Sequence, residues 1–221
     1  MNWRAFVGVL LGCSVVTGVA AAQTPPERVG FQMAIRTGYS LPMGKVDADP
    51  ADKMSEFLGG QVPFLFDIGG KVIPQLFVGG YVGFGFGGPA GEFKNSCDAN
   101  GYSCLSFSVR AGPEIIYSIL PGEMADPWLG YGFGFESTGV SGSQNGSTSS
   151  ASFSGFEFAH LMAGVDFRVS SGFGIGPFVD FSAGSYNHLH VDSPTATEDF
   201  SITNTASHQW LTLGARFVIF P

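Results

Sequence analysis

Charge is scarce in this chain. Asp, Glu, Lys and Arg make up 13% of its 221 residues, and only ten of them are basic. With a formal net charge of −8, nucleic acid is excluded as a partner, because neutralising phosphates takes clustered Lys and Arg. Cysteine is nearly absent at three residues, and no third or fourth soft ligand lies near the pair Cys97 and Cys104, so no metal centre is expected there. Beyond residue 22 there is no apolar run of eighteen or more, which excludes membrane-spanning helices. A phosphate loop, a dinucleotide fingerprint and a zinc signature are also missing. The Gly-x-Gly steps, such as Gly132-Phe133-Gly134, fall inside alternating segments rather than between a strand and a helix. No cofactor is expected.

Met1–Ala22 opens with Arg4, runs through an apolar stretch of about fifteen residues and ends on Ala20, Ala21 and Ala22. It reads as a secretory signal cleaved near Ala22; a transmembrane anchor would need a longer run and a basic flank. Leu10-Leu11-Gly12-Cys13 has a faint lipoprotein look, but the apolar run continues past Cys13, which is expected to leave with the signal. Residues 23–28 read as a short N-terminal segment and 29–221 as one domain. Two cysteines remain, which suits an oxidising compartment. Cys97 and Cys104 sit in one connection, where a disulfide would close a short ring worth about 2–3 kcal/mol at most in the chain-entropy model.

What the chain does have is 33 Gly, 22 Phe and alternation. Period-two segments cover Val29–Leu41, Gln61–Lys71, Gln75–Gly87, Cys104–Ser118, Trp128–Val140, Ser152–Val169, Phe173–His188 and Gln209–Phe220. Each is longer than the roughly 9–11 residues that a tilted strand needs to cross hydrocarbon. One parity is apolar; the other is Gly, Ser, Thr and single charges, a poor filling for a soluble core. Phe suits a lipid-facing exterior, and Gly leaves room in a narrow interior. The connections alternate between short (Val72–Pro74, Ile119–Asp126, Ser170–Gly172) and long (Pro42–Gly60, Gly88–Ser103, Ser141–Ala151, Leu189–His208). These features predict an all-β, eight-stranded antiparallel up-and-down transmembrane barrel, with both termini at the short-turn, periplasmic side. A soluble β-sandwich would need the aromatic faces to converge, which they do not. The long connections, rich in Gly, Ser, Asn, Asp and Pro, are expected to be mobile loops.

The inward parity holds Arg36, Lys71, Arg110, Arg168 and Arg216 against Asp67, Glu114, Glu136, Asp166 and Asp180. An eight-stranded barrel is only wide enough for its own side chains, and charges taken from water must find partners. The ten are therefore expected to form an ion-pair network that closes the lumen. The stretch Phe156-Glu157-Phe158 runs out of phase with Leu161–Val165, which a bulge, or the strand leaving the bilayer there, would restore. His188 and His190 share a strand face, but without a fixed carboxylate no metal is assigned to them.

The signal, strand count, loop asymmetry and final strand Leu213–Phe220 together resemble the small eight-stranded outer-membrane barrels of Gram-negative bacteria, of the OmpA membrane-domain, OmpX and OmpW kind. That final strand looks like the signal read by the barrel-assembly machinery, with Pro221 as an added residue. The resemblance implies the cell outer membrane as location, and outer-membrane lipid and lipopolysaccharide as surroundings. A monomer is expected. Lipid-modifying enzymes of this size pair a His with a Ser or a carboxylate. His160 is followed by Leu161 and Met162, with no Ser two residues on, and no catalytic residue is assigned. Two functions follow as expectations: a closed-lumen structural or surface-interaction protein presenting four long loops or, on the OmpW comparison, a narrow channel for small or hydrophobic solutes.

Overall fold

The computed structural model describes residues 29–49 and 53–221. The signal Met1–Ala22 and the segment 23–28 lie outside the described residues. Elements follow in the order β1 (Gly30–Gly44), α1 (Met54–Phe57), β2 (Leu58–Ile73), β3 (Leu76–Pro89), α2 (Gly91–Asn100), β4 (Ser103–Ser118), β5 (Ala125–Gln144), β6 (Ser147–Ser170), β7 (Phe173–Asp192), β8 (Thr197–Ser201) and β9 (His208–Ile219). No described helix is long and apolar enough to cross a membrane.

Eight strands close into a ring. Each pairs antiparallel with its neighbour in sequence from β1 to β7, β7 pairs with β9, and β9 returns to β1. Closure leaves the ring without a free edge, so its backbone hydrogen-bonding groups are met within the sheet. Strand β8 stands outside the ring and pairs with β7 alone. The short connections and both described chain ends fall at one end of the barrel, the turn end; the long connections fall at the other, the loop end.

Alternation decides which side each residue takes. Along β1, Gln32, Ala34 and Arg36 are buried while Phe31, Ile35 and Tyr39 are exposed. The outside carries Phe64, Phe84, Val109, Tyr131, Phe135, Leu161 and Leu213, all exposed, with Phe135 74% accessible. An apolar surface on this scale is far beyond what a soluble monomer presents to water; its solvent is lipid. Gly opens space for the large inward rings. At Gly164 a Cβ would lie 2.7 Å from the Trp128 ring, so any side chain there would displace it.

Of the two readings of the phase break in β6, the structure shows a bulge. Between the pairs Gly132–His160 and Gly134–Glu157, one residue of β5 faces two of β6. The extra residue leaves Phe156, Phe158 and Leu161 outside and turns Glu157 and His160 inward, three positions apart instead of two or four.

The long connections correct the expectation of mobile loops. Most of Ser141–Ala151 is strand, joined by a two-residue turn at Asn145 and Gly146, whose φ of 52° and 81° suit the twist of a tight hairpin. Pro42–Gly60 contains α1, Gly88–Ser103 contains α2, and Leu189–His208 contains β8. Ser-rich segments carry no hydrophobic period, yet their backbones continue the ladder of the strands they extend.

Candidate functional site

The barrel interior is the densest concentration of chemistry in the molecule. Arg36 on β1 is fully buried at its centre. Its guanidinium bonds Asp67 on β2 through Nη2 at 2.8 Å and Nε at 3.1 Å, Asp180 on β7 at 2.9 Å and Glu114 on β4 at 3.3 Å. Asp67 is also 3.7 Å from Arg216, which itself donates to Asp166. Towards the loop end, Arg110 lies 3.7 Å from Glu136 and 4.0 Å from Glu157 and donates to the Ser182 hydroxyl at 2.8 Å.

Eight of the ten expected lumen charges thus join one connected network: Arg36, Asp67, Glu114, Asp180, Arg110, Glu136, Arg216 and Asp166. The link between its two halves is His160. Its Nε2 is 2.5 Å from Asp180 and its Nδ1 is 3.1 Å from Glu157. Lys71 and Arg168 sit nearer the turn end, where both approach the ring of Phe220, at 5.9 and 4.1 Å. Phe220 itself is turned inward and packs with Ala34 and Val218.

Rings separate the charges into levels. Phe77, Ile116, Trp128, Met162 and Phe178 form an apolar layer on the turn-end side of Asp180 and Glu114, with Asp166 and Arg216 one step nearer the turn end than Trp128 and Phe178. Arg216 lies over Trp128 at 4.7 Å and Arg110 over Trp210 at 5.0 Å, so the cations face π-surfaces as well as acids. Glu136 takes hydrogen bonds from the Tyr186 hydroxyl at 2.6 Å, Trp210 Nε1 at 2.7 Å and His208 Nε2 at 3.1 Å, while the His208 and Tyr186 rings stack at 3.8 Å.

Reasoning from the sequence missed Glu157 because the bulge reversed its parity, and missed His160, which shares the inward parity of Met162 and Asp166, because it was weighed only as a catalytic residue. Asp126, His208, Tyr186 and Trp210 were missed for another reason: their inward parity is readable, but attention went to the strand charges. Asp126 pairs in register with Asp166 and is buried.

At the loop end, Val46, Met54, Leu58, Val140, Tyr186 and Trp210 close the barrel with an apolar lid, backed by Phe57, Phe93, Ala151, Phe153 and Ile202. Above it lies a cleft of about 310 Å³ between α2 and the extended tips of β5, β6 and β7, lined by Phe93, Tyr102, Val140, Ala151 and Val191 with Ser and Asn at its rim. A disulfide between Cys97, in the last turn of α2, and Cys104, at the start of β4, forms part of its wall. On the outer face of β7, His188 and His190 both bond Asp199 of β8, and these hydrogen bonds, that from His190 foremost, hold its carboxyl below the ordinary range.

No protein-family description and no curated protein matches the sequence. Among solved structures the barrel is similar to Neisserial surface protein A, at 14% identity over 88% of this chain and 100% of that one, with a TM-score of 0.44. It is similar also to the outer membrane protein OprG of Pseudomonas aeruginosa, at 11% identity over 88% and 99% of the two chains with a TM-score of 0.46. For the outer membrane protein AlkL the identity is 15% over 90% and 95%, with a TM-score of 0.49. These are likenesses of architecture and say nothing about activity.

Proposed function

We propose that this protein is an integral outer-membrane barrel with a closed lumen, whose task is to anchor and present the structures at its loop end. The observation that carries the reading is Arg36: fully buried at mid-height and bonded to acids from β2, β4 and β7, it crosses the space that a solute would need. A guanidinium that satisfies three carboxylates is costly to displace, because each partner left behind would be a buried, unpaired charge. The apolar lid above and the Phe77–Phe178 layer below add two further seals.

In this reading the loop end faces outward and both termini face the periplasm, after removal of Met1–Ala22. The exposed Phe, Leu and Val belt contacts outer-membrane lipid, the loop end meets lipopolysaccharide, the final strand engages the assembly machinery, and the barrel works as a monomer. The alternative, a narrow path for small or hydrophobic solutes, draws on the apolar cleft beside α2, but that cleft ends on Val140, Phe93 and Ala151, which belong to the lid.

Planar-bilayer recording on folded, heat-modifiable protein separates the two. The closed barrel predicts no steady single-channel current for the native protein. A large, stable conductance in the native protein would reject the plug and favour the path.

A further inference from the structure

The outer wall is not apolar at every height. Towards the loop end, the outward positions of β5 run Tyr131, Phe133 and Phe135 and then change to Ser137 and Gly139, while those of β6 run Phe158 and Phe156 and then change to Ser154 and Ser152. The register sets Phe135 opposite Phe156 and Ser137 opposite Ser154, so both changes fall at one height. A lipid-facing wall turns from apolar to hydroxyl side chains where hydrocarbon gives way to the polar region of the bilayer. This height marks the loop-end edge of the hydrocarbon.

A notch of about 390 Å³ straddles that edge. Val109, Ala111, Phe135 and Phe156 give it apolar walls, and Ser137, Ser154 and Asn187 give it a polar rim. Two local features open it. Ala111 stands directly opposite Phe135, so no tall side chain of β4 covers that ring, and Phe135 is left 74% accessible. Between the pairs Ser154–His188 and Gly155–Tyr186 the extra residue of β7 is Asn187, an exposed residue that this bulge sets beside Ser154. On the far side of Phe135 the ring of Phe156 meets it edge to face at 6.1 Å. Arg110 borders the notch, but its guanidinium is engaged in the lumen by Glu136, Glu157 and Ser182. A phosphate therefore finds no unpaired cation among the described residues that line the notch.

We propose that the notch binds one acyl chain of a lipopolysaccharide molecule, with the chain against Ala111, Phe135 and Phe156 and its first polar groups against Ser137, Ser154 and Asn187. The inference rests on the outward orientation of the loop end proposed above, which puts the notch in the leaflet that holds lipopolysaccharide. Its volume lies within the roughly 300–1,000 Å³ of ligand sites and suits part of one chain rather than a whole lipid. The rim favours this source over a phospholipid. A phospholipid chain begins with a single ester carbonyl, whereas the β-hydroxyacyl chains of lipid A carry a carbonyl and a hydroxyl close together, and three neutral polar side chains stand ready to meet both. Lipid around the rest of the belt exchanges freely; at this position one molecule stays.

Native mass spectrometry of the folded barrel, released from detergent after incubation with purified lipid A or with phosphatidylethanolamine, tests the site whichever way the barrel faces and whether or not its lumen conducts. One lipid A per barrel is expected to be retained, with a preference of about tenfold or more over the phospholipid. Ala111→Leu fills the notch from a lipid-facing position and is expected to cut retention on the order of tenfold. Ser137→Ala combined with Ser154→Ala removes two hydrogen-bonding partners and is expected to cut it about tenfold as well. Ile35→Ala, on the opposite wall, is expected to change nothing, and heat-modifiable migration confirms that each variant is folded. In the unsubstituted protein, nuclear Overhauser contacts from acyl methylenes are expected at Ala111, Phe135 and Ser154, a readout that needs no variant. No retained lipid A, phospholipid retained equally well, retention indifferent to Ala111→Leu, or acyl contacts spread evenly around the barrel would each overturn the proposal. Biotinylation of Lys94 on intact cells reads the orientation separately: protection of Lys94 would overturn the outward loop end, and with it the assignment to lipopolysaccharide, whatever the binding result.

Discussion

At mid-height the barrel is filled by Arg36, Asp67, Glu114 and Asp180, whereas at the loop end it is filled by Val46, Met54, Leu58 and Trp210. The first filling is ionic and comes from the inward face of ring strands. The second is apolar and draws Val46 and Met54 from the connection between β1 and β2. They differ in what a single loss leaves behind. Removing one charge exposes its partners as uncompensated ions in a low-dielectric space, while removing one apolar side chain leaves a cavity that nearby segments can partly refill. A closed barrel can thus be rigid where its wall is continuous and adaptable where the wall gives way to connections. Trp210 and Tyr186 join the two regions, since both belong to the lid and both donate to Glu136 of the ionic network.

The largest effect is expected from Arg36→Met, which strips three acids of their shared cation. It should destabilise the barrel by about 3–5 kcal/mol, read as a lower midpoint for urea unfolding of the folded protein in detergent. A loss of under about 1 kcal/mol would mean that the acids re-pair without Arg36 and that mid-height is as adaptable as the lid. Leu58→Ala should cost roughly 2–3 kcal/mol, and its effect should stay local. Hydrogen exchange is expected to quicken in α1 and the loop-end tips while the β1–β9 pairing stays protected. Equal loosening across the ring would make lid and network one cooperative unit.

Cys97→Ser should have the smallest effect on the barrel. Its bond to Cys104 spans seven positions in sequence and ties α2 to the loop-end tip of β4, where Cys104 pairs with Gly142, so the unfolding free energy of the barrel should fall by no more than about 0.5 kcal/mol. Exchange in α2 should quicken instead. A drop as large as that of Leu58→Ala would place α2 within the lid's cooperative unit.

Much of the wall was legible residue by residue. Alternation in β1, β4 and β9 placed Arg36, Arg110, Glu114 and Arg216 inside and Phe31, Val109 and Leu213 outside, as in the structure. The phase break in β6 pointed to a bulge or to the strand leaving the bilayer, but not to Glu157 meeting His160 at the centre of the network. The loop end was least legible, because Ser and Gly in Ser141–Ala151 give no periodic signal while the hydrogen bonds that organise them come from neighbouring backbones. The carboxylate partner of His188 and His190 was equally hidden, since only the return of β8 brings Asp199 opposite them.

A period of two is a property of consecutive residues, so the chain's own pattern was enough to set strand, side and the lipid-facing surface. Which inward residues meet is another matter. Arg36 and Asp180 are 144 positions apart in sequence yet bond at 2.9 Å. That contact depends on the number of strands in the ring and on their stagger, which only closure of the sheet determines. The list of inward charges therefore followed from local pattern, but their pairing into one network, with His160 as its bridge, came from the tertiary structure.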